Sequence, residues 1–133
     1  MLTLRRETDY ALQMLKVLSK SKGQVLSLNE VAKKTKVSFL FLQKIARKLR
    51  LAKIIKAHQG VAGGYQLSIE PNKITLRKVV EVMEGKCCIL SCLDESKKVE
   101  CCNLAKTCEL KTKLGKLNKR IVKILDEVKL TDI

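Results

Sequence analysis

Apolar residues three and four apart divide the chain into amphipathic helices, interrupted by two stretches of different character. From about Arg6 to Ser19, the residues Tyr10, Ala11, Met14, Leu15 and Leu18 recur on one side. That spacing predicts a first helix, ended by Lys20 to Gln24 with Gly23. Ser27-Leu28-Asn29-Glu30 has the form of a capping box and opens a short helix with Val31 and Ala32 on its inner face. Val37-Ser38 breaks the pattern, and Ser38 caps a further helix to about Arg50 with Leu42, Ile45, Ala46 and Leu49 turned inward. A short helix, a tight turn and a second helix make a helix-turn-helix.

The period then becomes that of strands. Ile54 to His58 and Tyr65 to Ser68 predict a hairpin turned through Gly60, Gly63 and Gly64. A hairpin directly behind a helix-turn-helix makes a winged helix. The adjacent glycines permit close backbone approach, which suits a wing tip lying along a DNA groove, although an ordinary surface hairpin has the same pattern. After the turn Glu70-Pro71-Asn72, Thr75 caps a helix from Leu76 to Glu84 with Leu76, Val79, Val80 and Met83 inward, and Gly85 stops it. From Leu110 the apolar residues Leu114, Leu117, Ile121, Ile124 and Val128 follow at heptad spacing. One such stripe cannot bury itself: the long helix either lies on the domain or pairs with its twin, and a homodimer is expected because a helix-turn-helix usually reads paired half-sites. Gly115 within it is a weak point of about 1 kcal/mol relative to Ala. The fold class expected is mainly α with a small β-hairpin: a winged helix-turn-helix over 1–86, a cysteine-rich loop over 87–108 and a C-terminal dimerisation helix over 109–133.

Composition changes this picture little, and charge changes it more. The 133 residues suit one domain, and with aromatics at 3% the core must be aliphatic. The net charge of +15 asks for a polyanionic partner, nucleic acid first and an anionic membrane second. Residues 16–56 carry twelve Lys and Arg against one acid, Glu30, whereas residues 87–133 carry ten against seven acids. The field is therefore concentrated on the first half. There the second helix of the pair presents Gln43, Lys44, Arg47, Lys48 and Arg50 outward. Lysine and arginine meet phosphates by charge, and glutamine can pair with a base edge; the bland alternative is a solvated lysine-rich face. Met1 to Asp9 lacks a secretory pattern and no span of eighteen apolar residues occurs, so the expectation is a cytoplasmic protein with no membrane partner. A lone His58, no phosphate-binding glycine loop and no catalytic constellation around the thiols speak against an enzyme. His58 is not assigned to a metal.

All six cysteines, Cys87, Cys88, Cys92, Cys101, Cys102 and Cys108, fall in one segment. A structural zinc would take four thiolates as closely spaced pairs, and the three residues between Cys88 and Cys92 or the five between Cys102 and Cys108 permit this without marking it. A disulfide framework conflicts with the expected compartment and with the adjacent pairs. An iron–sulfur cluster tolerates an oxygen or nitrogen ligand in place of one cysteine. Spacing alone leaves iron–sulfur, zinc and thiol redox chemistry open.

Thr8-Asp9-Tyr10-Ala11-Leu12, the helix from Ser38 to Leu49, the wing Gly63-Gly64-Tyr65, Thr75 to Gly85 leading into cysteines, and the long helix after Cys108 together resemble the Rrf-two family of winged-helix transcription regulators. The likeness covers nearly the whole chain. It implies a dimer on a palindromic operator in double-stranded DNA, controlled by an iron–sulfur cluster (2Fe-2S or 4Fe-4S) that senses nitric oxide, oxygen or redox state, or iron and cluster supply; a structural zinc or thiol switch is the alternative. Three cysteines hold the cluster in such members. Cys102 and Cys108 match the spacing of the last two, with Cys92 as the first and Cys101 and Cys88 as alternates. IscR-like members have a histidine three residues beyond the last cysteine, where this chain has Lys111. In NsrR-like members an acid near the N-terminus of the other subunit completes the site, and Asp9 is similar in position, with Glu7 nearby. For Asp9 the bland reading is a favourable charge at a helix N-terminus. The resemblance further implies Ser38, Leu40, Gln43 and Lys44 at base edges, Gln59 and Gly60 on the wing, and Lys33, Lys34, Arg47 and Arg50 at phosphates.

Overall fold

The computed structural model describes residues 3–95 and 107–133. Five α-helices and one two-stranded antiparallel sheet follow the order α1 (Arg6–Lys20), α2 (Leu28–Thr35), α3 (Phe39–Leu51), β1 (Ile55–His58), β2 (Gly64–Leu67), α4 (Leu76–Glu84) and α5 (Glu109–Glu127). This is the mainly helical architecture with a small hairpin that the periodicity predicts.

Local chemistry explains the boundaries. Ser27 Oγ accepts from the Glu30 N–H at 3.2 Å while Glu30 Oε2 accepts from the Ser27 N–H at 2.7 Å, so α2 opens on a complete capping box. Ser38 and Thr75 cap α3 and α4 through their hydroxyls. Lys36 ends α2 in the left-handed region at φ 59°, making the tight turn between the two helices. The N-terminus of α1 has no side-chain cap of its own. Glu84, from the far end of α4, supplies one: its Oε1 accepts from the Arg5 N–H at 2.8 Å and from the fully buried Thr8 hydroxyl.

The core lies around α1, whose Ala11, Met14, Leu15 and Leu18 pack among Val31, Leu42, Ile45, Leu49, Ile54, Ile74 and Val79. No aromatic residue is fully buried, and aliphatic side chains fill the interior. In the wing, β1 and β2 pair Ile55 with Leu67 through His58 with Gly64. Leu26 adds a bridge to Tyr65, donating at 3.0 Å and accepting at 2.7 Å. The adjacent glycines have a structural cause here: a Cβ on Gly63 would strike the His58 carbonyl, and one on Gly64 the Leu26 carbonyl. They allow the turn to close on itself and β2 to pack against Leu26.

The heptad stripe of α5 divides in two. Leu114, Ile121 and Val128 are half-buried on the side facing α4 and the cysteine loop. Leu110, Leu117 and Ile124, each seven residues apart, remain 59%, 44% and 60% exposed. After α5 the chain turns back into the first core: Leu76 N–H donates to the Val128 carbonyl at 2.8 Å, Leu130 N–H to the Ile74 carbonyl at 2.9 Å, and Leu130 is buried.

Candidate nucleic-acid interface and cysteine loop

α3 is held by its inner face and offers the outer one. Leu42, Ile45, Ala46 and Leu49 are buried, which turns Gln43, Lys44, Arg47 and Arg50 to the surface. Leu40 is 76% exposed at the start of the helix, and Ser38 is exposed as its cap. Lys33 and Lys34 are exposed at the end of α2, and Gln59 and Gly60 at the wing tip. Each residue expected at nucleic acid therefore lies on the surface, on α2, on α3 or on the wing.

Three exposed apolar residues lie on the same surfaces. Phe39 and Phe41 are exposed at the α3 N-terminus, Phe41 edge-on to Tyr10 with ring centroids 6.0 Å apart, and Val61 is fully exposed at the wing tip. Exposed apolar groups beside bases can contact thymine methyls. The signal was present in the sequence: four consecutive apolar residues, Phe39 to Leu42, cannot all point inward at 100° per residue, and only Leu42 does.

One acid enters this basic face. Glu7, in the first turn of α1, accepts from Lys44 Nζ at 2.6 Å and from Lys48 Nζ at 2.8 Å. Those hydrogen bonds, Lys44 first, hold its carboxyl at about 2 against an ordinary 4.5. Glu7, the fallback ligand of the sequence reading, is thus already engaged by α3. Asp9 is exposed and accepts only from its own helix among the described residues, from Gln13 Nε2 at 3.1 Å.

The cysteine loop is pinned by Asn118, a polar residue on the inner side of α5 that the sequence reading did not single out. Its Oδ1 accepts from the Ile89 N–H at 2.9 Å and its Nδ2 donates to the Cys87 carbonyl at 3.2 Å. The pin places Cys87 and Cys88 between two clefts of about 390 and 420 Å³ that run between α4 and α5. Burial, then the nearby Glu81, pushes the Cys87 thiol up. Cys92 sits half-buried on a 3-10 turn, Ser91–Leu93, that packs on α5. Cys108 is the N-cap of α5, its Sγ accepting from the Lys111 N–H at 3.4 Å, an arrangement that suits an anionic sulfur ligand. Asp94, 5% exposed with Lys86 Nζ 3.9 Å away, is the buried carboxylate of the loop.

Cys101 and Cys102 lie outside the described residues. Among the described residues no three His, Cys, Asp or Glu side chains converge as a metal site. The donor chemistry nonetheless fits a thiophilic centre: half-buried sulfurs precede and cap α5, with a carboxylate close in sequence. No helix of the described residues is long and apolar enough to cross a membrane.

Residues 4–133 match the family model described as "Rrf2: Iron-dependent Transcriptional regulator". Among solved structures the chain is similar to CymR (YrzC), the global cysteine regulator of B. subtilis, at 26% identity and TM-score 0.74, covering 99% of this chain and 95% of that one. It is similar to T. potens IscR at 27% identity and TM-score 0.71, covering 98% and 85%. It shares the fold of the oxidized form of Staphylococcus aureus CymR at 22% identity and TM-score 0.70, covering 98% and 94%. Among curated proteins no sequence matches.

Proposed function

Because the chain belongs to the Rrf2 family of transcriptional regulators, we propose that it is a homodimeric repressor acting at palindromic operators, with a promoter affinity that depends on an iron–sulfur cluster. The observation that carries the DNA-binding half is the one-signed outer face of α3, where Lys44, Arg47 and Arg50 flank Gln43 on a helix fixed from behind by four buried aliphatics. In this reading Ser38, Leu40, Gln43 and Lys44 address base edges. Lys33, Lys34, Arg47 and Arg50 neutralise phosphates, and Gln59 and Gly60 carry the wing toward the minor groove. Dimerisation through Leu110, Leu117 and Ile124 would present two α3 helices to the two halves of a palindromic operator.

Cys92, Cys102 and Cys108 are the proposed thiolate ligands, with the partner subunit's Asp9 as the oxygen ligand and Cys101, Cys88 and Glu7 as alternates. Glu7 is the weakest of these, since a metal would have to take it from two lysines. The bound group would supply an oxidisable, nitric-oxide-reactive centre; the chain's own part is to hold it between the Asn118-pinned loop and the cap of α5. Anaerobic purification with iron and acid-labile sulfide assays tests the reading. Visible absorption is expected in the wild type and lost in Cys108→Ser, and a wild type still colourless after anaerobic iron–sulfide reconstitution would overturn it.

The half-buried Cys87, Cys88, Cys92 and Cys108, which form no three-ligand metal group among the described residues, favour a second reading, in which the same DNA reader uses its thiols as a redox switch or zinc site. About one zinc per chain, or no metal together with thiol-dependent DNA affinity, would select it.

A further inference from the structure

Glu7 is positioned by one helix and satisfied by another. It stands in the first turn of α1, but its two carboxylate oxygens take one ammonium each from Lys44 and Lys48, a single turn apart on α3. Among the described residues it is the only acid paired with that helix, which carries Lys44, Arg47, Lys48 and Arg50 and no acid of its own. The one other acid near the basic stretch, Glu30, is committed to the capping box of α2. Glu7 therefore occupies, in the DNA-free protein, the position an anion would take against α3.

We infer that Glu7 is an autoinhibitory residue of the DNA-reading face: as a built-in competitor of the duplex it occupies Lys44 and Lys48 in the free protein and must be displaced before either lysine reaches DNA. This rests on the DNA-binding reading of α3. A free lysine meeting a phosphate gains from counterion release wherever the duplex lies. Lys44 and Lys48 must instead give up the Glu7 carboxylate to meet DNA, which gains little. That cost falls on every duplex that displaces Glu7, operator or not. The effect of Glu7 is thus to lower DNA affinity as a whole, which the net charge of +15 would otherwise raise.

The test uses the full chain with random-sequence duplexes and with an operator recovered by selection from random duplexes, titrated across a salt series. Glu7→Gln is expected to bind random duplex roughly tenfold more tightly near 0.1 M salt and to steepen the salt slope by about 1 to 2. Operator duplex should gain by a similar factor, so that the preference for operator over random duplex stays about the same. Glu70→Gln, which changes net charge equally at an exposed pair with Lys73 away from α3, should leave the slope unchanged. Adding Lys48→Met to Glu7→Gln should take back about one unit of slope. Circular dichroism melts establish that each variant is folded. A Glu7→Gln slope equal to that of the wild type, or an equal gain in Glu70→Gln, overturns the inference. A wild type that binds no duplex removes the DNA-binding reading and this inference with it.

Discussion

Two lysines gripping one carboxylate make a pH-dependent contribution whose sign can be worked out. The Glu7 carboxyl is held near 2 by hydrogen bonds from Lys44 and then Lys48, against an ordinary 4.5. Because the folded value is depressed, the unfolded chain takes up the proton first as pH falls. The stabilisation is complete above about pH 4.5 and disappears as pH drops through 2. The carboxylate is partly solvated, so the pair contributes at the scale of surface ion pairs, and Glu7→Gln should cost about 0.5–1 kcal/mol at pH 7. Urea unfolding of both proteins should show that gap narrowing steadily between pH 4.5 and 3, and curves that already coincide at pH 7 would contradict the clamp. A second residue-scale expectation concerns Asn118, which satisfies Ile89 N–H and the Cys87 carbonyl together. Asn118→Ala should cost about 1–2 kcal/mol and should speed alkylation of Cys87 relative to Cys108, read by mass-mapped iodoacetamide labelling. Neither role is readable from a linear pattern. The Ser27–Glu30 box is legible because its partners are three residues apart, whereas Glu7–Lys48 and Thr8–Glu84 span 41 and 76 residues and exist only once the helices have packed.

Helices and hairpin were legible because each buries one face and so imposes its period on the chain. Which part of a stripe becomes covered was not, since that depends on what packs opposite. The α5 heptad reads as one seam, yet α4 and the cysteine loop cover Leu114, Ile121 and Val128 and leave Leu110, Leu117 and Ile124 open. The return of Leu130 to the core was likewise hidden, because a one-residue bridge between Thr75 and Lys129 creates no repeat. Gly115 permits a test at this scale. A Cβ there would meet only Leu93 Cδ2, at 3.6 Å, an ordinary contact, and the backbone is helical. Gly115→Ala should therefore stabilise the protein by about 0.5–1 kcal/mol, raising Tm by about 2–4 °C. A lower Tm would mean that the loop needs the space beside α5, which would tie this glycine to whatever the thiols hold.

For the molecule as a whole, the open half of the α5 seam and the position of Asp9 make a joint claim about dimerisation and cofactor. Leu117 and Ile124 are exposed in the single chain, so replacing both with Glu should barely change monomer folding, while placing two carboxylates in an apolar seam should weaken a dimer by at least about 100-fold. Sedimentation should then show monomers that retain the wild-type circular dichroism spectrum. If the partner subunit's Asp9 completes the proposed metal site, this surface variant should also lose iron, although it alters no ligand. Cys108→Ser should lose iron by the opposite route, remaining a dimer. The two dependencies separate the arrangement in trans from one contained within a single chain: monomers of the double variant that keep full iron content would place every ligand in one subunit. The buried Asp94, two residues from Cys92, would then be the carboxylate to replace next.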